Sequence, residues 1–267
     1  MCDCELSPAD EIGEFVPSRR QLLGGAVVSG IGLAALRLGQ GRPVGAAADA
    51  VEVMPGLSIL ARDVWGHDLP PKGALAAETP RFLLVHHTAS TNSYSSARTV
   101  IRNTYAWQTS RAKGWSDVCY NFFIGRDGDV WEGRAGSLTR PVRADATGGS
   151  QGFAQLVCLL GDFTSQRPTA AALRSLAMVL AWLAGRDGID ISGGATTSFI
   201  SRGSQRWSAG TEVTTATISG HRDMSYTACP GDAFYPVLDQ VRAAARAQRD
   251  EWSAVTRPAV RLGVVTS

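Results

Sequence analysis

The run Phe82-Leu83-Leu84-Val85-His86-His87-Thr88 constrains the fold of this chain most: an apolar stretch of strand length that ends in two adjacent histidines. Read as a short buried strand, it sends only one of the two imidazoles to a given face, because side chains alternate along a strand. Far along the chain, Gly220-His221-Arg222-Asp223 and Tyr226-Thr227-Ala228-Cys229-Pro230-Gly231 place an imidazole and a thiol eight residues apart around a turn. The chain has four histidines, and three of them sit in these two segments. Taken singly, each residue has an ordinary reading, as a satisfied polar group at a strand end or a small buried hydrophobe. Taken together they have the donor chemistry of a zinc site. Zn²⁺ accepts His nitrogen and Cys thiolate, and a catalytic zinc takes three protein ligands and leaves the fourth position to water.

The periodicities around these segments predict an α/β fold with a mixed central β-sheet flanked by helices. Strands are expected at Phe82 to His87, Val118 to Gly125, Val130 to Gly133, Phe153 to Leu160 and Thr214 to Ser219. The Asp127-Gly128 pair between the second and third of these is a hairpin signal. A helix is expected over Ser95 to Arg111. After Pro168 a second helix carries Leu173, Leu176, Leu180 and Leu183 at three- and four-residue steps, one apolar stripe fit to cover a sheet. A closing helix over Phe234 to Arg249 turns Val237, Leu238 and Val241 inward. Gly66 to Pro80 reads as an irregular connection wrapped onto the domain, and the Gly-, Ser- and Thr-rich stretch from Gly185 to Gly210 as a long surface loop. The formal charge of +2 is too small to argue for nucleic acid or an anionic surface as partner.

The order of the motifs carries a resemblance. Val85-His86-His87-Thr88-Ala89 is followed by Gly114-Trp115-Ser116-Asp117-Val118-Cys119-Tyr120-Asn121-Phe122 and by Asp127-Gly128-Asp129-Val130-Trp131-Glu132-Gly133-Arg134. Then come Gly161-Asp162-Phe163, Ser219-Gly220-His221-Arg222-Asp223 and Thr227-Ala228-Cys229-Pro230-Gly231. This resembles the type 2 N-acetylmuramoyl-L-alanine amidase family, which also holds the peptidoglycan recognition proteins and a phage lysozyme. The resemblance covers roughly residues 58 to 245, within an amidase domain expected over 51–251. Leu60-Ala61-Arg62-Asp63-Val64-Trp65-Gly66 is similar to the opening of the recognition-protein branch.

What the resemblance implies can be carried over residue by residue. His86, His221 and Cys229 would bind one Zn²⁺, with water in the open position. Tyr120 would donate to the oxyanion or relay a proton, and Thr227 would hydrogen-bond the oxyanion or the water. His87 would point away as buried structure, while Arg222 and Asp223 would fix the His221 loop. The implied activity is hydrolysis of the amide between the lactyl group of N-acetylmuramic acid and L-alanine, with a peptidoglycan muropeptide as partner, no nucleic acid, and a monomeric protein. Two alternatives stay open: a non-catalytic peptidoglycan-binding receptor on the same fold, and a zinc hydrolase of another acyl-amide. Some zinc amidases carry a glutamate where this chain has Cys158, and the usual Gly-x-His-Ala motif is replaced by Arg143-Ala144-Asp145-Ala146. The general base is therefore unassigned. Tyr94, Trp107, Trp115 and Trp131 are candidates for stacking on sugars, against a core role for most of them.

Ahead of the domain, Arg19-Arg20 precedes the weakly apolar stretch Gly24 to Leu36, which resembles a twin-arginine export signal over residues 1–50. That stretch is short for a membrane span, and Ala46 to Ala50 offers A-x-A cleavage points, so no stable span is expected after cleavage. About 215 residues would remain, enough for one domain with a sizeable core. Localisation would be secreted or cell-wall associated. Removal of Cys2 and Cys4 leaves Cys119, Cys158 and Cys229, and the first two are expected as buried thiols, since the twin-arginine route carries proteins folded in a reducing cytoplasm. Residues 252–267 are expected as a tail.

Overall fold

The computed structural model describes residues 50–256. The expected leader up to residue 49, with Cys2 and Cys4, and the tail from residue 257 onward lie outside the described residues. Nine strands and five α-helices follow one another as β1 (Ala50–Met54), β2 (Leu57–Leu60), α1 (Asp63–Gly66), β3 (Phe82–His87), α2 (Ala97–Gln108), β4 (Phe122–Ile124), β5 (Val130–Glu132), β6 (Ala154–Leu159), α3 (Ala170–Asp187), β7 (Thr196–Ile200), β8 (Glu212–Ala216), β9 (Ile218–Gly220), α4 (His221–Met224) and α5 (Leu238–Thr256) among the described residues. Seven strands form one mixed sheet in the order β1-β2-β5-β4-β6-β3-β9. β7 and β8 pair with each other in a separate antiparallel ribbon.

β3 is flanked by two parallel neighbours, β6 and β9, and all six of its residues are buried. A strand covered on both faces reads as an unbroken apolar run, which is why Phe82 to Val85 shows no polar alternation. Alternation sorts its side chains all the same. Leu83 and Val85 join Phe122, Ile124, Val157 and Leu159 in a core roofed by α3 and α5. Phe82 and Leu84 join Phe123, Leu156 and Cys158 in a second core on the opposite face, with Val100, Ile101 and Tyr105 of α2. Fully burying each of these large side chains contributes about 1.5–3 kcal/mol relative to exposure.

Local signals set the helix ends. Thr169 accepts from the Ala172 amide at 3.1 Å to cap α3, and Gly188, at φ +68°, lets the chain turn off its C-terminus in the left-handed conformation. Ser96 caps α2 in the same manner, with 3.3 Å to the Thr99 amide. None of the helices among the described residues is long and apolar enough to cross a membrane.

The structure corrects several sequence expectations. The stretch from Gly185 to Gly210 is not a single loop: α3 runs to Asp187, and Thr196–Ile200 forms β7. Thr214 to Ser219 is two strands, of which β8 belongs to the ribbon and only β9 to the main sheet. The strand expected from Val118 shrinks to Phe122–Ile124 because Asn121 takes over ladder contacts with its side chain. Its Oδ1 accepts from the Leu156 amide at 2.8 Å, and its Nδ2 donates to the Val142 carbonyl at 2.9 Å. The closing helix starts with a 3-10 turn at Tyr235–Val237 and continues to Thr256, so residues 252–256 belong to it and not to a tail. The β1–β2 hairpin at the sheet edge is an addition to the expected elements.

The connection from Gly66 to Pro80 wraps onto the domain as expected, and it ends in an uncommon contact. Gln155, fully buried on β6, donates to Oε1 of Glu78 at 2.5 Å, while Oε2 of Glu78 is buried with no hydrogen-bond partner. Loss of hydration pushes the Glu78 carboxyl up to about 8, against the lowering influence of Gln155. A carboxyl raised from 4.5 to about 8 on folding gives stability that is complete below pH 4.5 and declines as pH rises toward 8. Glu78→Gln should remove that decline, so that urea midpoints measured at pH 5 and pH 9 converge and the variant is the more stable protein at pH 9. A parent-like slope in the variant would show that another group titrates.

Candidate metal centre

The parallel pairing of β3 with β9 brings the carboxyl ends of both strands to one edge of the sheet, where ligand sites of α/β proteins form. His86 sits at the end of β3 on the face of Phe82 and Leu84; its neighbour His87 faces the α3 side. The chain leaves β9 at Gly220 and enters α4 with His221. The ring centroids of His86 and His221 lie 4.3 Å apart. Cys229 comes in from the following turn with its Sγ 3.6 Å from Nδ1 of His86. All three residues are buried, and one donor atom from each lies within 4.8 Å of the others, so a single ion could touch them all.

Backbone packing holds the turn that carries Cys229. Cys229-Pro230 is a cis peptide, and Gly231 adopts φ +106° where a Cβ would fall 2.3 Å from the Phe163 backbone. The Arg222 amide donates to the Cys229 carbonyl at 3.0 Å, and the Arg222 guanidinium pairs with Asp232 at 2.7 Å. Asp223 accepts from the Gly220 amide at 2.9 Å and from the Tyr235 phenol at 2.5 Å. Burial, with the Asp223 carboxylate beside it, pushes that phenol up to about 12, so it stays a donor. Arg222 thus ties the His221 helix to the Cys229 turn, and Asp223 ties its first turn to Tyr235.

Tyr120 is fully buried two residues before β4, its ring edge-on to His86 with centroids 5.2 Å apart. The Thr227 hydroxyl accepts from the Cys229 amide at 3.1 Å and lies on the wall of a cleft of about 250 Å³ that His221 also lines. The His87 amide points at the Cys229 sulfur at 3.4 Å, and the His87 ring accepts from the Phe163 amide at 3.2 Å, 3.8 Å from Asp162. Asp145 lines the cleft, bound by Arg134 at 2.6 Å. Cys158 pairs in register with His86 but is not among the three clustered donors. The aromatic candidates separate: Trp115 lines the cleft, whereas Trp131 is tied to Asp129 and Tyr94 to the Arg126 amide. Tyr226, on the cleft rim and 72 % exposed, opens the segment that carries Cys229, but nothing in its local pattern marks it as a cleft residue.

Residues 76–232 match the family described as N-acetylmuramoyl-L-alanine amidase. The chain belongs to this amidase family. Peptidoglycan recognition protein 1 of Bos taurus is 29% identical over 185 residues, covering 68% of this chain and 83% of the relative. The Homo sapiens N-acetylmuramoyl-L-alanine amidase is 30% identical over 162 residues, 59% of this chain and 23% of that much longer protein. Among solved structures, Drosophila peptidoglycan recognition protein SD superposes with a TM-score of 0.52 at 24% identity, covering 68% of this chain and 93% of its own. Recognition protein LE, solved with tracheal cytotoxin, gives a TM-score of 0.51 at 20% identity over 68% of this chain and 92% of its own. The mixed α/β fold is therefore the amidase and recognition-protein fold.

In this amidase-family scaffold Gly231 combines a positive φ with a backbone neighbour where a Cβ would sit. Gly231→Ala meets both the left-handed backbone, a penalty of about 1–3 kcal/mol, and the Phe163 backbone. It should lower the thermal midpoint by several degrees, while Gly193→Ala, where nothing lies within 4 Å, should leave it within error. Equal midpoints for the two variants in differential scanning calorimetry would refute the packing role of Gly231.

Proposed function

We propose that this chain is a zinc-dependent N-acetylmuramoyl-L-alanine amidase, hydrolysing the amide between the lactyl group of N-acetylmuramic acid and L-alanine of the stem peptide. The observation that carries this reading is the donor set: two imidazoles and one thiol, all buried, with donor atoms within 4.8 Å of one another. Tetrahedral zinc, with Zn–N near 2.0 Å and Zn–S near 2.3 Å, keeps such ligands roughly 3.5 Å apart. The 3.6 Å between Cys229 Sγ and His86 Nδ1 fits that requirement. When bound, the ion would lower the pKa of a water and polarise the scissile carbonyl.

The remaining work falls to the chain's own residues. The His87 amide, 3.4 Å from Cys229 Sγ, helps orient the sulfur toward the triad. Tyr120 Oη would donate to the oxyanion that develops on the scissile carbonyl. Thr227 Oγ1 already accepts the Cys229 amide, so its proton is directed elsewhere and is suited to the same oxygen or to the attacking water. Cys158 occupies β6 where other zinc amidases carry a glutamate, and Asp145 is engaged by Arg134. Tyr120 Oη is then the group beside His86 to relay a proton. Burial of the triad keeps bulk water from competing with these contacts.

The substrate class follows from kinship: the human relative is named for this amidase activity, and recognition protein LE was solved with a monomeric peptidoglycan. A receptor on the same fold needs no soft third donor, so Cys229 favours hydrolysis over binding alone. We also infer that the protein acts as a monomer outside the cytoplasm after twin-arginine export; three buried cysteines among the described residues, all outside disulfides, suit folding before translocation.

Purified protein should contain about one zinc per chain, and Cys229→Ala should lose both zinc and the release of free stem peptide from muropeptides, followed by mass spectrometry. Tyr120→Phe should keep the zinc and lower kcat by roughly 10²–10³, the scale of one lost oxyanion donor. Full turnover by Cys229→Ala would overturn the metal assignment, and muropeptide binding without any product would favour the receptor. Replacing Arg19 and Arg20 together by lysine should trap the protein in the cytoplasm; unchanged export would remove the twin-arginine reading.

A further inference from the structure

Tyr120 stands beside His86 without a strand of its own. The main-sheet strand begins only at Phe122, so the backbone that carries the phenol, from Trp115 to Tyr120, is held by other means. A buried backbone amide needs an acceptor wherever it falls. The Asn121 amide finds the Leu156 carbonyl at 3.0 Å, and the Tyr120 carbonyl accepts from the Arg134 amide at 2.8 Å. The Cys119 amide is taken by a side chain, Oε1 of Gln108, at 2.8 Å.

Gln108 is the last residue of α2 and is fully buried. It grips the Tyr120 segment at both ends. Its backbone carbonyl accepts from the Trp115 amide at 3.1 Å, its Oε1 accepts from the Cys119 amide, and its Nε2 donates to Cys119 Sγ at 3.1 Å. The chain from Trp115 to Cys119 is thereby closed on a single residue, and Tyr120 comes next. One bond to the main chain of Cys119 and one to its sulfur fix both the direction of its peptide and the rotation about its Cα–Cβ bond, and so set where the following side chain departs. The helix that carries Gln108 is tied down in turn: Tyr105 Oη donates to the Pro70 carbonyl at 2.6 Å, and Arg102 forks onto Asp68 with two bonds of 2.7 Å.

Other contacts on this segment serve the fold at large. Asp117 pairs with Arg62 at 2.8 Å and accepts from the Ala135 amide at 2.9 Å, while Arg134 reaches both the Val118 carbonyl and Asp145. Removing one member of such a buried pair strands a charge. Gln108 is neutral. Burying its amide has a cost that only its hydrogen bonds offset, and an aliphatic side chain would fill the same place without that cost. Both polar atoms of the side chain reach Cys119, the residue before the phenol.

We propose that Gln108 is a positioning residue for Tyr120: through its two-point hold on Cys119 it sets the phenol against the metal centre. The assignment rests on the amidase reading for what the Tyr120 hydroxyl does. That hydroxyl has to meet an oxygen whose charge develops only in the transition state, and a displacement of about 1 Å costs on the order of 10²-fold in rate.

In the zinc-loaded protein, Gln108→Leu should lower kcat on muropeptide roughly ten- to a hundredfold, with KM within about twofold and zinc content unchanged. Gln108→Glu, of equal length and still an acceptor for the Cys119 amide, should restore most of the rate. Gln108→Asn, too short to reach Cys119, should behave as Gln108→Leu does and serves in its place if that variant does not fold. A double-mutant cycle separates positioning from general support. A residue acting only through the Tyr120 hydroxyl has nothing left to lose once that hydroxyl is gone, so Gln108→Leu combined with Tyr120→Phe should be no slower than Tyr120→Phe alone. Equal losses in both backgrounds, loss of zinc in Gln108→Leu, or a parent-like rate in that variant would overturn the proposal. A second readout is independent of turnover: nuclear Overhauser contacts between the Tyr120 and His86 rings, whose centroids lie 5.2 Å apart, should fade in Gln108→Leu of isotope-labelled protein. Faded contacts with full turnover by Tyr120→Phe would sink the catalytic role of the phenol and leave Gln108 as what places it. Retained contacts with a slow Tyr120→Phe would do the reverse.

Discussion

Parallel pairing of β3 with β9 is the constraint from which the rest of this molecule follows. Parallel neighbours deliver their carboxyl ends to the same edge, so a histidine ending one strand and a histidine following the other are brought together without any dedicated contact between them. Alternation on β3 then decides which of two adjacent imidazoles takes part: His86 shares the Phe82 and Leu84 face, and His87 is left to brace the Phe163 segment. The His87 backbone remains in play even so, because its amide faces the Cys229 sulfur. Strand geometry thus gives one residue of the pair to the site and the other to its support.

Where the fold was legible in sequence, one physical signal dominated each segment. The unbroken apolar run of β3 and the leucine stripe of α3 both follow from burial against the sheet, and both strand and helix lie where the pattern put them. The metal candidates stood out because histidine is scarce in this chain and cysteine and histidine fell at turn spacing. Legibility failed where tertiary contacts overrode a local pattern. Thr214 to Ser219 reads as one β-branched run, but the chain changes sheets at Thr217, whose amide bonds to the Ala195 carbonyl at 3.1 Å. Val118 to Asn121 has strand composition, yet the Asn121 side chain takes the Leu156 amide on the β6 side, and the strand proper begins only at Phe122, with Tyr120 beside His86. β7 hides in a Gly- and Ser-rich background because its one buried residue, Phe199, packs on Phe82 with ring centroids 5.6 Å apart, a contact no window of sequence contains.

The same logic explains why glycine is concentrated around the site. A metal centre made from segments distant in sequence holds its shape only if the backbones that carry them touch. Side chains would keep them apart. Gly220 lets the Tyr235 ring and Pro230 approach the start of α4, Gly231 lets the Cys229 turn lie on the Phe163 backbone, and Gly148 and Gly149 let the ribbon tip lie on the other flank. The centre is therefore closely packed at these glycines, against side chains at Gly220 and against backbone at Gly148, Gly149 and Gly231. Backbone has little freedom to rearrange once packed, so the donors are held together before any ion or substrate arrives, and the ordering cost is met in folding and not in binding. The β7–β8 ribbon lies outside the main sheet, so the β3–β9 register that sets His86 against His221 does not pass through it.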